Sequence, residues 1–373
     1  MRERDSDVVV IGGGLSGTSV AYHLARAGKH VVLIERNTLA SGASGASFGW
    51  VTTHFASYMP EYPSYHMRLM SAAVREYAEF AAEFGDAIEY EPTGGLSLIY
   101  DDDQLAAQSA LVPKLNEAGI AARIIPRERV LELEPQLAGP FIGAVHNPDE
   151  ALVNPFLVVR LFAREARRLG AQVLTHTAAV GIDVKDGAVT GVRTTDGVIR
   201  THAVVNAAGL DAPSVAALVG VDVPVRSSRG QQLVVQGRPN LLRASIYGHG
   251  LVRPTRAGNY IVGGLREGES YDNAVTRVGI AYLAKQVASL VPGLRGASVT
   301  RAFSGLRPVP SDGKPIYGPA PGLTGFFCAN LHFGVTLAPV TGRVLTDYVL
   351  GREPELDVTR YLLDRFQDAY VDA

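Results

Sequence analysis

The stretch Val8-Val9-Val10-Ile11-Gly12-Gly13-Gly14-Leu15-Ser16-Gly17 decides the fold of this 373-residue chain. Its four apolar residues predict a buried strand, and the glycines that follow have the spacing of a dinucleotide-binding turn. In such a turn Gly12 permits a tight bend, Gly14 lets the backbone approach a pyrophosphate, and Gly17 lets helix and strand pack closely. The start of the helix supplies free N–H groups and the positive end of a dipole. The stretch therefore predicts a phosphate-binding βα unit.

The residues after this turn complete a βαβ unit. An amphipathic helix is predicted over 16–27, and a second apolar strand over 31–34. That strand ends in Glu35, 18 residues beyond Gly17, where an acidic side chain would bind ribose hydroxyls and repel the additional phosphate of NADP. We therefore predict a Rossmann-like domain that binds FAD or NAD. The alternative is an ordinary βαβ turn with a surface glutamate.

Composition narrows the class of protein. Length alone suggests two domains, and the formal net charge of −2 offers no basic surface for nucleic acid. The single cysteine, Cys328, excludes an internal disulfide and a cysteine metal cluster, which fits a reducing compartment. Residues 1–7 are polar and no run of about 18 apolar residues follows. We predict a cytoplasmic protein with no transmembrane segment.

A run of small residues from Leu39 to Trp50 follows the βαβ unit. Small residues allow the backbone to approach a ligand, and the hydroxyls of Ser44 and Ser47 are candidate donors to it. A flexible Gly/Ser linker is the alternative, although the apolar flanks argue against it. His54 comes next and is a candidate for a position near a flavin, but a lone histidine is more often structural.

The rest of the chain alternates predicted helices and strands. We predict two short strands around Gly94-Gly95, an antiparallel meander over 179–199 and a buried strand over 203–209. The acidic run Asp101–Asp103 is interpreted as a helix cap and not as a metal site. Further helices are predicted over 103–118, 127–133, 156–169, 276–290 and 337–350, and further strands over 226–235, 250–254, 259–264 and 299–303.

Taken in order, these motifs resemble the superfamily of FAD enzymes that contains D-amino-acid oxidase, glycine oxidase and sarcosine oxidase. Besides the N-terminal turn and Glu35, four stretches match it, namely Ala151–Pro155, V-V-N-A-A-G at Val204–Gly209, G-x-R-P-x-x-x-D-G-x-P at Gly305–Pro315 and the turn His332–Pro339. The resemblance implies an α/β protein with a discontinuous FAD-binding domain at 1–85, 141–220 and 300–373. An α+β substrate domain built on an antiparallel sheet would comprise 86–140 and 221–299.

The resemblance also implies how FAD is held. Contacts to the ADP half are expected from Gly12, Gly14, Ser16, Glu35 and Arg36, to the pyrophosphate and ring from Ser44, Ser47, Phe48 and Gly49, to adenine from the backbone of Val180, and to the pyrimidine edge from Gly334, Val335, Thr336 and Leu337. Leu15, Ala208, Gly209 and Gly305 complete the predicted cofactor-binding set. Because Gly305 occupies the place of the cysteine that binds flavin covalently in sarcosine oxidases, noncovalent FAD is expected.

Arg307 of the R-P motif is the expected substrate anchor. A guanidinium can hold a carboxylate through two parallel hydrogen bonds, although a structural arginine is the alternative. The tyrosine that family members often carry on a substrate-domain strand is replaced here by Leu251. Tyr247 or His249 is expected to replace its hydroxyl, and the alternative is that both lie in a surface loop. His249 and His332 are candidates for assisting proton loss. No lysine stands at 259–264 to activate oxygen, which leaves the electron acceptor open.

The resemblance therefore implies oxidation of the C–N bond of an amino acid or an N-substituted amino acid. The hydride would pass to flavin N5, and the imine would hydrolyse to an oxo acid and ammonia or an amine. The expected partners are a small carboxylate-bearing amine and O2 or another electron acceptor, and the oligomeric state is left open. The alternatives are a dehydrogenase of the same fold that reduces a quinone or partner subunit, one that oxidises a hydroxy acid, and a non-catalytic flavin-binding subunit.

Overall fold

The computed structural model describes residues 2–54, 63–265 and 267–366. The strands of this part, in chain order, are β1 (Arg2–Asp5), β2 (Val8–Ile11), β3 (Val31–Ile34), β4 (Trp50–Val51), β5 (Gly95–Ile99), β6 (Arg123–Pro126), β7 (Gly143–Asn147), β8 (Ala151–Leu152), β9 (Gln172–Leu174), β10 (Ala179–Lys185), β11 (Ala188–Thr194), β12 (Gly197–Arg200), β13 (Val204–Asn206), β14 (Val225–Gln236), β15 (Ser245–Tyr247), β16 (Leu251–Pro254), β17 (Asn259–Gly263), β18 (Val299–Pro310), β19 (Ile316–Pro319) and β20 (Phe326–Asn330). The α-helices are α1 (Leu15–Arg26), α2 (Pro63–Phe84), α3 (Asp102–Glu117), α4 (Arg127–Leu133), α5 (Pro155–Arg168), α6 (Ala212–Ala217), α7 (Arg277–Leu290) and α8 (Gly334–Val349).

The chain forms two compact units. Unit 1 comprises Met1–Ser47, Pro155–Ser227 and Arg307–Ala373, and unit 2 comprises Phe48–Asn154 and Ser228–Leu306. The predicted boundaries were wrong for 48–85 and 141–154, which belong to unit 2. Strand pairing is the reason, because β4 pairs with β8, and β7 pairs with β5 and β6 inside the large sheet of unit 2. Residues 221–227 and 300–306 also fall on the opposite side of the predicted boundaries.

Unit 1 is built on a six-stranded sheet in the order β19-β20-β13-β2-β3-β9. Its strands are parallel except β19, which pairs antiparallel with β20. All four residues of β2 and of β3 are buried, as expected for strands covered on both faces. One face packs on a sheet in the order β1-β12-β11-β10, which contains the predicted meander. The Rossmann-like fold predicted from the glycine turn is confirmed.

The carboxyl ends of the parallel strands carry the predicted cofactor residues of unit 1. Helix α1 begins after β2, Glu35 follows β3, Gly209 lies after β13, and α8 begins after β20. Since parallel strands end at the same edge of a sheet, the topology gathers residues that are far apart in sequence along one edge. Ligands of open α/β sheets bind at this edge.

Unit 2 contains an eight-stranded sheet in the order β18-β14-β17-β16-β15-β5-β7-β6. One face holds an apolar core that includes Leu96, Ile246 and Val262 together with residues of α4 and α7. Side chains alternate along a strand, so their neighbours occupy the opposite face. On that face, cross-strand pairing aligns Leu251, Tyr247, Ser97 and Val145 in one row. Gly95 and Asn147 form a neighbouring cross-strand pair.

Two details of the predicted secondary structure were wrong. Only one strand, β5, forms at Gly94-Gly95, because the preceding residues make a 3₁₀ turn and Glu89 adopts a left-handed backbone with φ 51°. Helix α8 begins at Gly334, three residues earlier than predicted, so the residues expected to contact the flavin form its first turn. The predicted helix cap is confirmed, since the Asp101 carboxylate accepts a hydrogen bond from Gln104 N at 2.7 Å.

Candidate functional site

The glycine turn leaves no room for side chains at two of its positions. Gly12 has φ +118°, and a Cβ placed there would lie 2.4 Å from the carbonyl oxygen of Ala207. A Cβ on Gly17 would lie 2.0 Å from the carbonyl oxygen of Gly12. Both contacts involve backbone, which side-chain movement cannot relieve. Gly12 and Gly17 thus permit β2, α1 and the end of β13 to approach one another closely.

The start of α1 lacks a hydrogen bond to an N-cap side chain, although its first amide donates to Ser44. Gly14 is the N-cap residue, and a Cβ there would lie 2.9 Å from Ser44 Oγ, which itself accepts from Leu15 N at 3.0 Å. The Glu35 carboxylate accepts from Gly13 N at 2.7 Å and from Asn37 N at 2.7 Å. The acidic group predicted to bind ribose is therefore fixed beside the predicted phosphate turn.

The small-residue run and the residues beyond Glu35 are ordered by local contacts. Ser47 Oγ donates to Ser44 O at 2.7 Å, so the two predicted hydroxyl donors lie together. Arg36 forms an ion pair with Asp211 at 2.8 Å, which links the end of β3 to the turn after Gly209. Val180 lies on β10 with 52% of its surface exposed.

A second helix start belongs to α8, whose N-cap residue Phe333 makes no side-chain cap hydrogen bond and whose first turn contains Val335, Thr336 and Leu337. Helices α1 and α8 pack closely, since a Cβ on Gly342 would lie 2.7 Å from the carbonyl oxygen of Ser19. Asn330, at the end of β20, is buried, and within the described residues its side-chain nitrogen and oxygen have no hydrogen-bond partner. A buried, unsatisfied amide at a helix start indicates a missing polar ligand.

These observations fit an FAD cofactor. The glycine turn and the start of α1 suit a pyrophosphate, Glu35 suits a ribose, and Asn330 offers a donor and an acceptor near the second helix start. Sequence reasoning missed Asn330, although an asparagine that ends an apolar strand occurs twice in this sheet, at Asn206 and here. Cys328 is buried in β20, where burial raises the pKa of its thiol to about 12, as expected for a packing residue.

Two further predicted cofactor residues lie in unit 2. Phe48 packs against Arg253, whose guanidinium carbon lies 5.7 Å from the centre of the phenyl ring. Burial lowers the pKa of Arg253 to about 10. Gly49 has φ +78°, and its carbonyl accepts from Val153 N at 2.9 Å, which extends the pairing of β4 with β8. Gly305 lies within β18.

Arg307 and His332 are both half-buried residues of unit 1. Arg307 lies in β18 next to Pro308, whose ring approaches within 3.9 Å of the position of a Cβ on Gly209. The strand that carries the predicted substrate anchor thus passes the carboxyl end of β13. The ring of His332 lies 4.4 Å from that of Phe333, immediately before α8.

Tyr247 and His249, the two residues expected to replace the missing tyrosine, occupy different positions in unit 2. Tyr247 is the cross-strand partner of Leu251, so its ring lies on the same face of the sheet, one strand away. His249 is exposed in the intervening turn, where its ring stacks on Tyr100 at 4.0 Å. His54 joins Tyr247, with ring centres 4.0 Å apart, and its Nδ1 lies 2.6 Å from Ser97 Oγ.

A buried carboxyl group, Glu150, lies beside these residues and was not predicted as a site residue. Its Oε1 accepts hydrogen bonds from Thr52 Oγ1 at 2.8 Å and from Thr53 N at 2.8 Å and Oγ1 at 3.1 Å. Burial raises its pKa to about 7, against the opposing effect of these hydrogen bonds. The only signal in the sequence is an acidic residue directly before the apolar stretch 151–153.

Glu150→Gln is expected to stabilise the protein at pH 8 and not at pH 4. Because the folded-state pKa of Glu150 is raised, ionisation favours the unfolded state, and stability falls as pH rises from about 4.5 to about 7. At pH 8 the ionisation of Glu150 lowers the free energy of unfolding by about 3 kcal/mol, and the neutral amide of glutamine avoids this loss. Thermal midpoints of both proteins across this range check the result. The exposed Glu132→Gln variant should show no such pH-dependent gain, and an equal gain in both would contradict the assignment.

No helix in the described residues is long and apolar enough to cross a membrane. The glycine turn, the acidic residue after β3 and the two helix starts at the same edge of the sheet define unit 1 as a dinucleotide-binding domain.

The family model described as FAD dependent oxidoreductase matches residues 7–348. The glycine oxidase of Bacillus licheniformis is 30% identical over 361 residues, which cover 94% of each chain. The crystal structure of glycine oxidase from Geobacillus kaustophilus superposes with a TM-score of 0.89 at 26% identity, over 97% of this chain and 99% of that chain. The L-proline dehydrogenase from P. horikoshii gives 0.91 at 25% identity, over 99% of both chains.

The chain belongs to this family of FAD-dependent oxidoreductases, as its motifs predicted. It is an enzyme, and its cofactor is FAD. The cofactor is held noncovalently, as the resemblance implied, and the one cysteine of the sequence, Cys328, is buried in β20.

Proposed function

We propose that this enzyme oxidises the C–N bond of an amino acid or an N-substituted amino acid. The products would be an oxo acid and ammonia or an amine, formed when water hydrolyses the imine. The observation that carries the proposal is Arg307 in its G-x-R-P motif, on a strand that passes Gly209 at the cofactor edge of unit 1. Bound FAD supplies the hydride acceptor, N5 of its ring.

Arg307 would bind and orient the substrate. Two parallel hydrogen bonds from a guanidinium fix both the position and the tilt of a carboxylate. With the carboxylate held, the hydrogen on the α-carbon can be presented in a single direction, and this orientation is the principal requirement of the reaction. His332, half-buried immediately before α8, is the proposed acceptor for the proton that the substrate amine loses.

The relatives support this substrate class through their names. Glycine oxidase and L-proline dehydrogenase are named for amino acids, one with a primary and one with a secondary amine. The two names also differ in acceptor class, so both an oxidase and a dehydrogenase remain candidates for this chain. Strand β17 contains no lysine, so the residues of this strand do not identify O2 as the electron acceptor. The buried thiol of Cys328 is consistent with the proposed cytoplasmic location.

Tyr247→Phe is expected to lower kcat/KM about fivefold while leaving the FAD absorbance spectrum unchanged. The reason is its position, since Tyr247 supplies a hydroxyl from the strand next to Leu251, and one hydrogen bond contributes about 1 kcal/mol. Steady-state kinetics with the best amino acid substrate measures the effect. Tyr100→Phe is the matched control, because its hydroxyl accepts from His249 N outside the proposed site. Equal losses in both variants would remove Tyr247 from the substrate site.

The test of the proposed reaction is anaerobic reduction of the bound flavin by a panel of amines. D-, L- and N-methyl amino acids should include at least one that bleaches the flavin bands, and readmitted air would then separate oxidase from dehydrogenase by the rate of recovery. If hydroxy acids bleach the flavin and no amine does, the C–N assignment is wrong.

A further inference from the structure

Unit 2 contains a cavity of about 220 Å³ on the face of the sheet opposite its apolar core. This volume is enough for a group of several heavy atoms. The cavity walls come from β5, β7, β15, helix α3 and the residues after β4. Its lining residues are Thr53, His54, Gly95, Ser97, Gln108, Leu111, Leu115, Ala122, Val145, Asn147, Glu150 and Tyr247.

The two oxygen atoms of the Glu150 carboxylate have different surroundings in this cavity. The hydrogen bonds from Thr52 and Thr53 all go to Oε1. Oε2 lies directly over Gly95, where a Cβ would come within 2.0 Å of it. The glycine thus leaves room for Oε2, and both residues line the cavity. Glu150 is only 3% exposed, so an ionised Oε2 requires a partner inside the protein.

The chemistry of the walls specifies that partner. Leucines 111 and 115 with Val145 form an apolar side, and Ser97, Gln108 and Tyr247 place further oxygen atoms around the space. Among the lining residues that the structure describes, His54 is the only basic side chain, and its Nδ1 is engaged with Ser97 Oγ. The walls therefore offer one anionic acceptor, neutral acceptors and an apolar surface. A short alkyl chain that ends in an ammonium group satisfies all three.

We propose that this cavity is a binding site for a short alkylammonium group, with Glu150 as its counter-ion. The ammonium hydrogen-bonds to Oε2 over Gly95, and the alkyl chain lies against Leu111 and Leu115. The neighbouring Thr53 and Asn147 hold the carboxylate in place, because Asn147 Nδ2 donates to Thr53 Oγ1 at 2.7 Å. The group belongs either to a separate amine or to the side chain of a substrate. Only the second case rests on the proposed function.

Calorimetric titration of the FAD-loaded enzyme with propylammonium chloride at pH 8 tests the site. We expect propylammonium to bind at least tenfold more tightly than 1-propanol and propionate to show no binding, because only the ammonium pairs with Glu150. Glu150→Gln should weaken propylammonium binding at least tenfold while keeping the hydrogen bonds at Oε1. Leu111→Phe, which fills the cavity from α3, should weaken it as well, whereas Val112→Phe, the next residue of α3 and not a lining residue, should not.

Kinetics with ornithine and norvaline, which differ by the terminal ammonium, shows whether the bound alkylammonium group is a separate amine or a substrate side chain. If the group is a substrate side chain, Glu150→Gln lowers kcat/KM for ornithine at least tenfold relative to norvaline. If it is a separate amine, this ratio is unchanged although propylammonium binding is lost. Arg307→Ala should leave calorimetric binding intact, so failure of the proposed reaction is distinguishable. Equal affinity for propylammonium and propanol, or unchanged propylammonium binding in both Glu150→Gln and Leu111→Phe, would overturn the site.

Discussion

Arg307→Ala is expected to lower kcat/KM for a carboxylate-bearing amine about 10²-fold while the protein keeps its FAD. Losing a paired charge of this kind costs about 3 kcal/mol, since the substrate carboxylate then lacks both of its hydrogen bonds. The expected effect falls on kcat as well as KM, because the same contact orients the α-carbon. Single-turnover reduction of the flavin by substrate, followed by stopped-flow absorbance, separates the two contributions.

Arg301→Ala is the matched control for this variant. Arg301 lies on the same strand, β18, but is exposed and stacks over Phe303 with its guanidinium carbon 5.1 Å from the ring centre. It should retain wild-type kinetics. An amine without a carboxylate provides a second control, because its turnover should be similar in Arg307→Ala and the parent. If both substrates lose activity equally, Arg307 does not bind the carboxylate.

Gly14→Ala is expected to weaken FAD binding about 10- to 100-fold, which corresponds to about 1.4 to 2.7 kcal/mol. The backbone of Gly14 is extended with φ −88°, which alanine adopts without strain, and the added methyl meets only the side chain of Ser44, whose hydroxyl can rotate away. The fold should therefore survive, while the methyl group occupies the space needed by the pyrophosphate. Fluorescence titration of the apoprotein with FAD measures the affinity.

Gly42→Ala is the appropriate comparison, because it adds the same methyl group in the neighbouring small-residue run where nothing lies within 4 Å. Its FAD affinity should equal that of the parent. Unchanged affinity in Gly14→Ala would mean that the pyrophosphate does not approach this turn, and the predicted position of the cofactor in unit 1 would be wrong.

The sequence predicted those parts of the fold that depend on local pattern. The glycine turn, strand 31–34 and the acidic Glu35 lie within one βαβ unit, so spacing alone indicates their function. The choice between Tyr247 and His249 was not local. It depends on the register of β15 against β16, which places Tyr247 beside Leu251 and leaves His249 in the turn.

Pairing between strands far apart in the chain explains why the sequence predicted neither the boundaries of the two units nor the surroundings of Glu150. The pairing of β7 with β5 and β6 holds 141–154 in unit 2, and the pairing of β4 with β8 links residues 50–51 to that segment and brings Glu150 to Thr52 and Thr53. No periodicity in the sequence relates residues almost 100 positions apart. The cavity around Glu150 and the unsatisfied side chain of Asn330 therefore became visible only in three dimensions.

Absorbance of the purified enzyme during anaerobic addition of amino acids tests the central claim most directly. We expect a flavin spectrum in the parent, bleached by at least one amino acid or N-substituted amino acid, and bleached much more slowly by the same compound in Arg307→Ala. A protein that shows no flavin spectrum after incubation with FAD, or a flavin that no amine reduces, would contradict the proposed function.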